Sequence, residues 1–207
     1  MNGDVNANKR VLLMLRPYLK PGFDIVGSLP ERGDLLSVPL RQWSCVRTDK
    51  RGMNIIELNL ESSGLVADLE KIAMPLLELN GLEVLNLAHN WGLGGELYHL
   101  NALIYLKQLI LKDTSVGGDL AGAETLARLE VLDIRGTRVY GNDGLQPLRK
   151  CHKLRYLNLD GLNIRGTIPV NIGNAITPHS LPRKIVVVTD WHIYKNATVL
   201  RIWVFYR

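Results

Sequence analysis

Five times along this chain an apolar residue is followed three and five positions later by two more, with a fourth soon after. The quartets are Ile55, Leu58, Leu60 and Leu65; Leu82, Leu85, Leu87 and Leu93; Leu106, Leu109, Leu111 and Val116; Leu129, Leu132, Ile134 and Val139; and Leu154, Leu157, Leu159 and Ile164. Their starting points advance by 27, 24, 23 and 25 residues. Two stretches, LEVLNLAHN from Leu82 to Asn90 and LEVLDIRGT from Leu129 to Thr137, are nearly the same text. In one globular core each strand meets different neighbours, so a repeated phrase implies repeated surroundings.

The spacing has a direct physical reading. Positions 4 and 6 of each copy point to one face of a strand, and positions 3, 5 and 7 point to the other. One strand cannot bury its apolar face alone. Stacked copies can, because each covers the apolar row of the copy before it, which predicts a parallel sheet over one elongated core.

The stretch LRYLNLDGLNIRGTIP, Leu154 to Pro169, resembles the plant-type leucine-rich repeat, which continues past its strand with an apolar residue, a glycine and often a proline. Gly95, Gly118, Gly141 and Gly166 match that glycine, and Ala67 stands in its place in the first copy. The resemblance covers roughly residues 52 to 170. It implies an α/β solenoid of about five coils, with a parallel sheet on the concave face, an irregular or short helical convex side, and caps at both ends. Position 9, asparagine in the family, is asparagine only at Asn90; Ser63, Thr114, Thr137 and Leu162 occupy it elsewhere. The threonine forms resemble protist surface-antigen relatives of the class. A hydroxyl has one donor where an amide has two, so a less regular ladder is expected. The second copy carries one extra residue between Asn90 and Leu93, which predicts a bulge around Trp91.

These features divide the chain into an N-terminal flank and cap (1–51), a solenoid (52–177) and a β-rich C-terminal flank or cap (178–207). In the first, QWSCV, Gln42 to Val46, is similar to the tryptophan-containing cap before plant repeats, without its paired cysteines, and Trp43 is expected to cover the first coil. Upstream, Leu12, Leu15 and Leu19 share a helical face interrupted by Pro17. In the last, β-branched and aromatic residues predict strands, with a turn at Lys195 to Thr198.

Charge and cysteine usage bound the partners. Residues 1–50 carry eight basic and five acidic residues, 51–170 twelve and fourteen, and 171–207 five and one, so the overall +5 belongs to the ends. That argues against a central nucleic-acid groove. No apolar run approaches the roughly 18 residues of a membrane span, and the N-terminal run is too short for a secretory signal. Two separate cysteines, Cys45 and Cys151, favour a reducing intracellular compartment over secretion, with an organelle open. Asn196 to Thr198 matches a glycosylation sequon, which matters only outside the cell.

Catalytic signatures are missing from the text: no paired-histidine helix, close cysteine pair or phosphate loop. GLGG, Gly92 to Gly95, reads as a repeat turn. His89 and Asp113 are placed to approach across neighbouring coils, yet no nucleophile completes a triad. RKCHKLR, Arg149 to Arg155, reads as a solvated convex turn with Cys151 or Leu154 inward. No enzyme, cofactor or metal is expected. The outward face of the sheet remains as the candidate binding site: Val84, Gln108, Val131 and Tyr156 at position 3, Asn86, Ile110, Asp133 and Asn158 at position 5, and Lys112 and Arg135 at position 7. Apolar and aromatic residues beside arginine are the composition of an interface hot spot. The expected function is recognition of a protein or peptide, with Tyr156 as anchor and Lys112 and Arg135 selecting an acidic feature. The alternatives are a structural subunit of a larger assembly, held by its basic termini and C-terminal strands, and extracellular glycan or receptor-type recognition.

Overall fold

The structure, a computed structural model, describes residues 5–26, 35–164, 166, 169 and 186–188. The repeat quartets each contribute one strand: β2 (Ile55–Asn59), β4 (Val84–Asn86), β6 (Gln108–Ile110), β8 (Val131–Asp133) and β10 (Tyr156–Asn158). They pair in parallel and in chain order, with Glu57, Val84, Gln108, Val131 and Tyr156 side by side in one register row. At one edge β1 (Val46–Thr48) runs antiparallel to β2. At the other, β12 (Val186–Val188) pairs in parallel with β10, so the sheet takes in a strand from the segment read as C-terminal flank. The expected turn at Lys195 to Thr198 and the strand after it lie outside the described residues.

Short strands after each main strand form a second, lateral layer. These are β3 (Ala67–Asp68) with β5 (Leu93–Gly94), and β7 (Gly117–Asp119), β9 (Arg138–Gly141) and β11 (Asn163–Ile164) in a row. Each coil then returns through helical structure. The first and longest coil has room for a full helix, α2 (Leu69–Glu78), capped by the Asp68 side chain accepting from the Glu70 amide at 2.9 Å. The shorter coils manage only 3₁₀ turns at Leu97–Leu100, Leu120–Ala123 and Gln146–Lys150.

Every member of the five quartets is buried except Ile164, which is half-buried. Helix α1 (Val5–Leu15) packs its Val11, Leu12 and Leu15 face toward α2 and continues the same core. Its polar side chains are also engaged: Asn8 donates to the Met53 carbonyl at 2.7 Å, and Lys9 donates to the Leu36 carbonyl. The α-helix gives way to a 3₁₀ turn, Arg16–Tyr18, at Pro17, whereas α2 keeps Pro75 within it. Trp43 is buried in the same core, with its Nε1 donating to the Val38 carbonyl at 3.4 Å.

Two features depart from the sequence reading. The less regular ladder is not found in the backbone, where amides of Leu60, Leu87, Leu111 and Ile134 reach the next strand at 2.8 to 3.1 Å. What thins out is the side-chain ladder. Asn90 donates to the carbonyls of Leu60 and Leu87, both at 2.8 Å, and accepts from the Leu65 amide at 2.9 Å, tying two coils together. Thr114 and Thr137 donate to Leu111 and Ile134, and Thr137 also accepts from the Val139 amide at 3.3 Å, all within their own coils. The second departure concerns position 8, which the sequence left unremarked. It is left-handed in all five coils, with φ of 54° at Ser62, 57° at His89, 54° at Asp113, 66° at Gly136 and 76° at Gly161. The extra residue of the second copy is absorbed in a turn that leaves Trp91 66% exposed.

Candidate binding face

The ten candidate residues fall on or directly after four consecutive strands and on the side of the sheet opposite the buried leucines. Pairing brings Val84, Gln108, Val131 and Tyr156 into one row and Asn86, Ile110, Asp133 and Asn158 into the next. Lys112 and Arg135 follow at the ends of β6 and β8. Seven of the ten are half-buried, and Val84, Asp133 and Asn158 are buried at 9%, 6% and 2% exposure. Those three support the face; they are not the part of it open to a ligand.

The position-5 row has a bonding pattern that spacing alone did not reveal. In four coils its side-chain oxygen accepts the amide two residues on: Asn59 from Glu61 at 3.0 Å, Asn86 from Ala88 at 3.1 Å, Asn158 from Asp160 at 3.1 Å, and Asp133 from Arg135 at 3.4 Å. Such local side-chain bonds turn the chain out of the strand and fix the direction of position 7. Asn158 also donates to the Tyr156 hydroxyl at 3.1 Å, which orients the expected anchor ring. Where the first, second and fifth coils have a neutral amide and the third has Ile110, the fourth has a carboxylate. Burial of Asp133 pushes its carboxyl above the usual range, against the opposing pull of Arg135 and Lys112.

On the rim of this face, His89 lies between two carboxylates, with Nδ1 at 3.2 Å from Asp113 and Nε2 at 3.7 Å from Glu61. The expected approach of His89 and Asp113 is therefore present, and the left-handed backbone at both residues is what turns them to meet. Glu61 is further held by the Asn86 amide at 3.0 Å, which joins the rim to the face. Among the described residues no hydroxyl or thiol is bonded to His89. Cys45 and Cys151 are free and buried, and burial pushes their thiols up to about 12 and about 11. Both Cys151 and Leu154 point inward from the basic turn between them. Away from the face, ligand atoms of Asp68, Glu70 and His99 lie within 4.8 Å of one another. That cluster is exposed, and Asp68 already serves as a helix cap, so it is assigned no metal.

A repeating parallel strand, a left-handed turn and a short helical return around one leucine core define an α/β solenoid, and the chain is a leucine-rich repeat protein. The family described as Leucine Rich Repeat matches residues 153–175. A comparison with curated protein sequences finds no match. Among solved structures, that of PEPR1–AtPEP1 is similar with a TM-score of 0.63 and 25% identity, over 82% of this chain and 23% of that one. The leucine-rich repeat ectodomain of the Arabidopsis thaliana receptor kinase SOBIR1 has a TM-score of 0.58 and 17% identity, over 83% of this chain and 88% of that one. The Arabidopsis receptor kinase HAESA, solved with the peptide hormone IDA and the co-receptor SERK1, gives 0.63 and 24%, over 82% and 28%. The chain thus spans about a quarter of the PEPR1 chain it matches. Among the described residues no helix is long and apolar enough to cross a membrane.

Proposed function

We propose that this chain is a non-catalytic recognition module that binds a protein or peptide across the outward face of its main sheet. The observation that carries this reading is the register. Side chains of four successive strands stand in two straight rows, with Tyr156 oriented by Asn158 and two cations, Lys112 and Arg135, beside half-buried Ile110 and Val131. Such a face is built before a ligand arrives, so little ordering cost is paid on binding. In this reading Tyr156 anchors the ligand, and Lys112 and Arg135 select an acidic feature. The likeness to PEPR1, solved as PEPR1–AtPEP1, is in keeping with a protein or peptide ligand. The ectodomain among the neighbours leans against the reducing compartment expected from the cysteines. Buried free thiols at about 12 and about 11 resist oxidation and so are compatible with either side of a membrane.

The test compares three proteins of equal thermal stability as baits in affinity capture from the native source with mass spectrometry. The Lys112→Glu, Arg135→Glu, Tyr156→Ala variant is expected to lose the principal partner. A Met74→Glu control, altered at a 69% exposed position on α2, is expected to keep it. Retention of the same partner by the triple variant refutes the sheet face as the site.

A further inference from the structure

Asp133 is the one charged residue in the position-5 row, and it is badly bonded for a buried carboxylate. Its side chain is 9% exposed, its hydrogen bond to the Arg135 amide is long at 3.4 Å, and its other oxygen lies 3.5 Å from Arg135 Nε. That Nε is itself buried and has no hydrogen-bond partner. Carboxylate and guanidinium therefore face each other without completing a bond, in a place where unmade bonds are costly. We propose that Asp133 is a proton-controlled counter-ion that positions Arg135. Ionised, it holds the guanidinium down on the sheet and cancels its charge; protonated, it leaves Arg135 free to take an anionic ligand group. The inference rests on the reading of this face as a binding site, and it adds a pH dependence to that binding.

The surroundings fit such a role. On the β6 side Asp133 adjoins Ile110, with Lys112 and Asp113 as the charged groups acting on it; on the β10 side it pairs with the neutral Asn158, which itself donates to the Tyr156 hydroxyl. Asp113 is in turn paired with His89. Burial is the largest influence on the Asp133 carboxyl and disfavours its charged form, so protonation comes at a higher pH than for an ordinary carboxylate. Losing that negative charge leaves Arg135 without the carboxylate that lies within ion-pair distance of it, and removes a negative charge that interacts with Lys112. Asn59, Asn86 and Asn158 show that a neutral amide performs the local turn equally well. The charge at 133 is thus surplus to the fold.

The experiment uses the whole chain and the variants Asp133→Asn and Arg135→Gln. By NMR, the Arg135 Nε–H resonance, assigned by its loss in Arg135→Gln, is expected to shift with the Asp133 side-chain carbon as pH is varied, and to stay fixed in Asp133→Asn. The binding probe is a short peptide of cysteic acid, whose sulfonates remain ionised throughout. Wild type is expected to bind it about tenfold more tightly below the Asp133 transition than above it, a usual coupling between two sites. Asp133→Asn is expected to bind at the higher affinity at every pH. An Arg135 resonance indifferent to the Asp133 transition, or an Asp133→Asn variant that keeps the wild-type pH dependence, overturns the proposal. A probe that binds no form at any pH, with Arg135 still following Asp133, refutes acidic-ligand recognition at this face and supports the counter-ion assignment.

Discussion

Replacing Asn90 with alanine tests whether one buried amide joins two coils. Asn90 is 1% exposed and takes part in bonds to Leu60, Leu87, Ala88, Leu65 and Ser63. Leu60 O also accepts from the Ser63 amide, and Ala88 O from the Ser62 amide, so those carbonyls keep a partner. The Leu65 amide, the Leu87 carbonyl and the Ser63 hydroxyl lose theirs. Each buried group left unsatisfied costs about 1–3 kcal/mol, so Asn90→Ala should cost about 3–5 kcal/mol once the vacated side-chain space is included. Asn90→Thr copies Thr114 and Thr137, whose hydroxyls reach the carbonyl three residues back, and should recover about half of that loss. Urea unfolding measures the totals, and amide hydrogen exchange at Leu65 localises the effect. A cost under about 1 kcal/mol for alanine, or a threonine variant no more stable than the alanine one, would refute the assignment.

Three further outcomes are expected. Trp43→Ala opens the first coil and should destabilise by about 3–5 kcal/mol in the same unfolding assay. Cys45 and Cys151, buried with thiols held near 12 and 11, should resist Ellman's reagent at pH 8 in the native protein and react fully in denaturant. Asp133→Asn should raise the melting temperature at pH 7. The folded carboxyl takes its proton at higher pH than the unfolded one, so its stabilising influence is complete below the unfolded value and lost as pH rises through the folded value. The gain should vanish well below the ordinary carboxylate range, and a variant equal to wild type at pH 7 would contradict it.

The core was legible because burial repeats with the text: the quartets read from spacing are the inward rows of the sheet. The strand faces followed from the same period of two, which is why all ten candidate residues came together. Exposure within the face was not legible. Val84 is as outward as Val131 by position, yet it is buried, while Val131 is half-buried. Asp133 and Asn158 are covered although both are polar. Burial there depends on neighbours in adjacent strands, and position in one coil does not fix it. The lateral strands were equally hidden, since two or three residues carry no readable alternation.

The left-handed turn at position 8 shows how a repeat frame separates scaffold from surface chemistry. Gly136 and Gly161 meet the backbone requirement without a steric cost. Ser62, His89 and Asp113 meet it with side chains, which costs about 1–2 kcal/mol at each residue. Polar residues of this kind tolerate the conformation best, so the alternation of Ser, His, Asp and Gly at one register was the signal available in the sequence. The cost at His89 and Asp113 is partly offset, because the strained turns direct their side chains into contact at 3.2 Å and extend the link through Glu61 to Asn86 on the sheet. Position 5 follows the same logic in charge: an amide suffices for the turn, and Asp133 adds a buried negative charge that the fold does not need. Both departures border the rows that carry Lys112 and Arg135. Where a coil keeps a costly residue although its neighbours do the same structural work more cheaply, the proposed binding role of the face supplies the reason, and the Asp133→Asn comparison tests it.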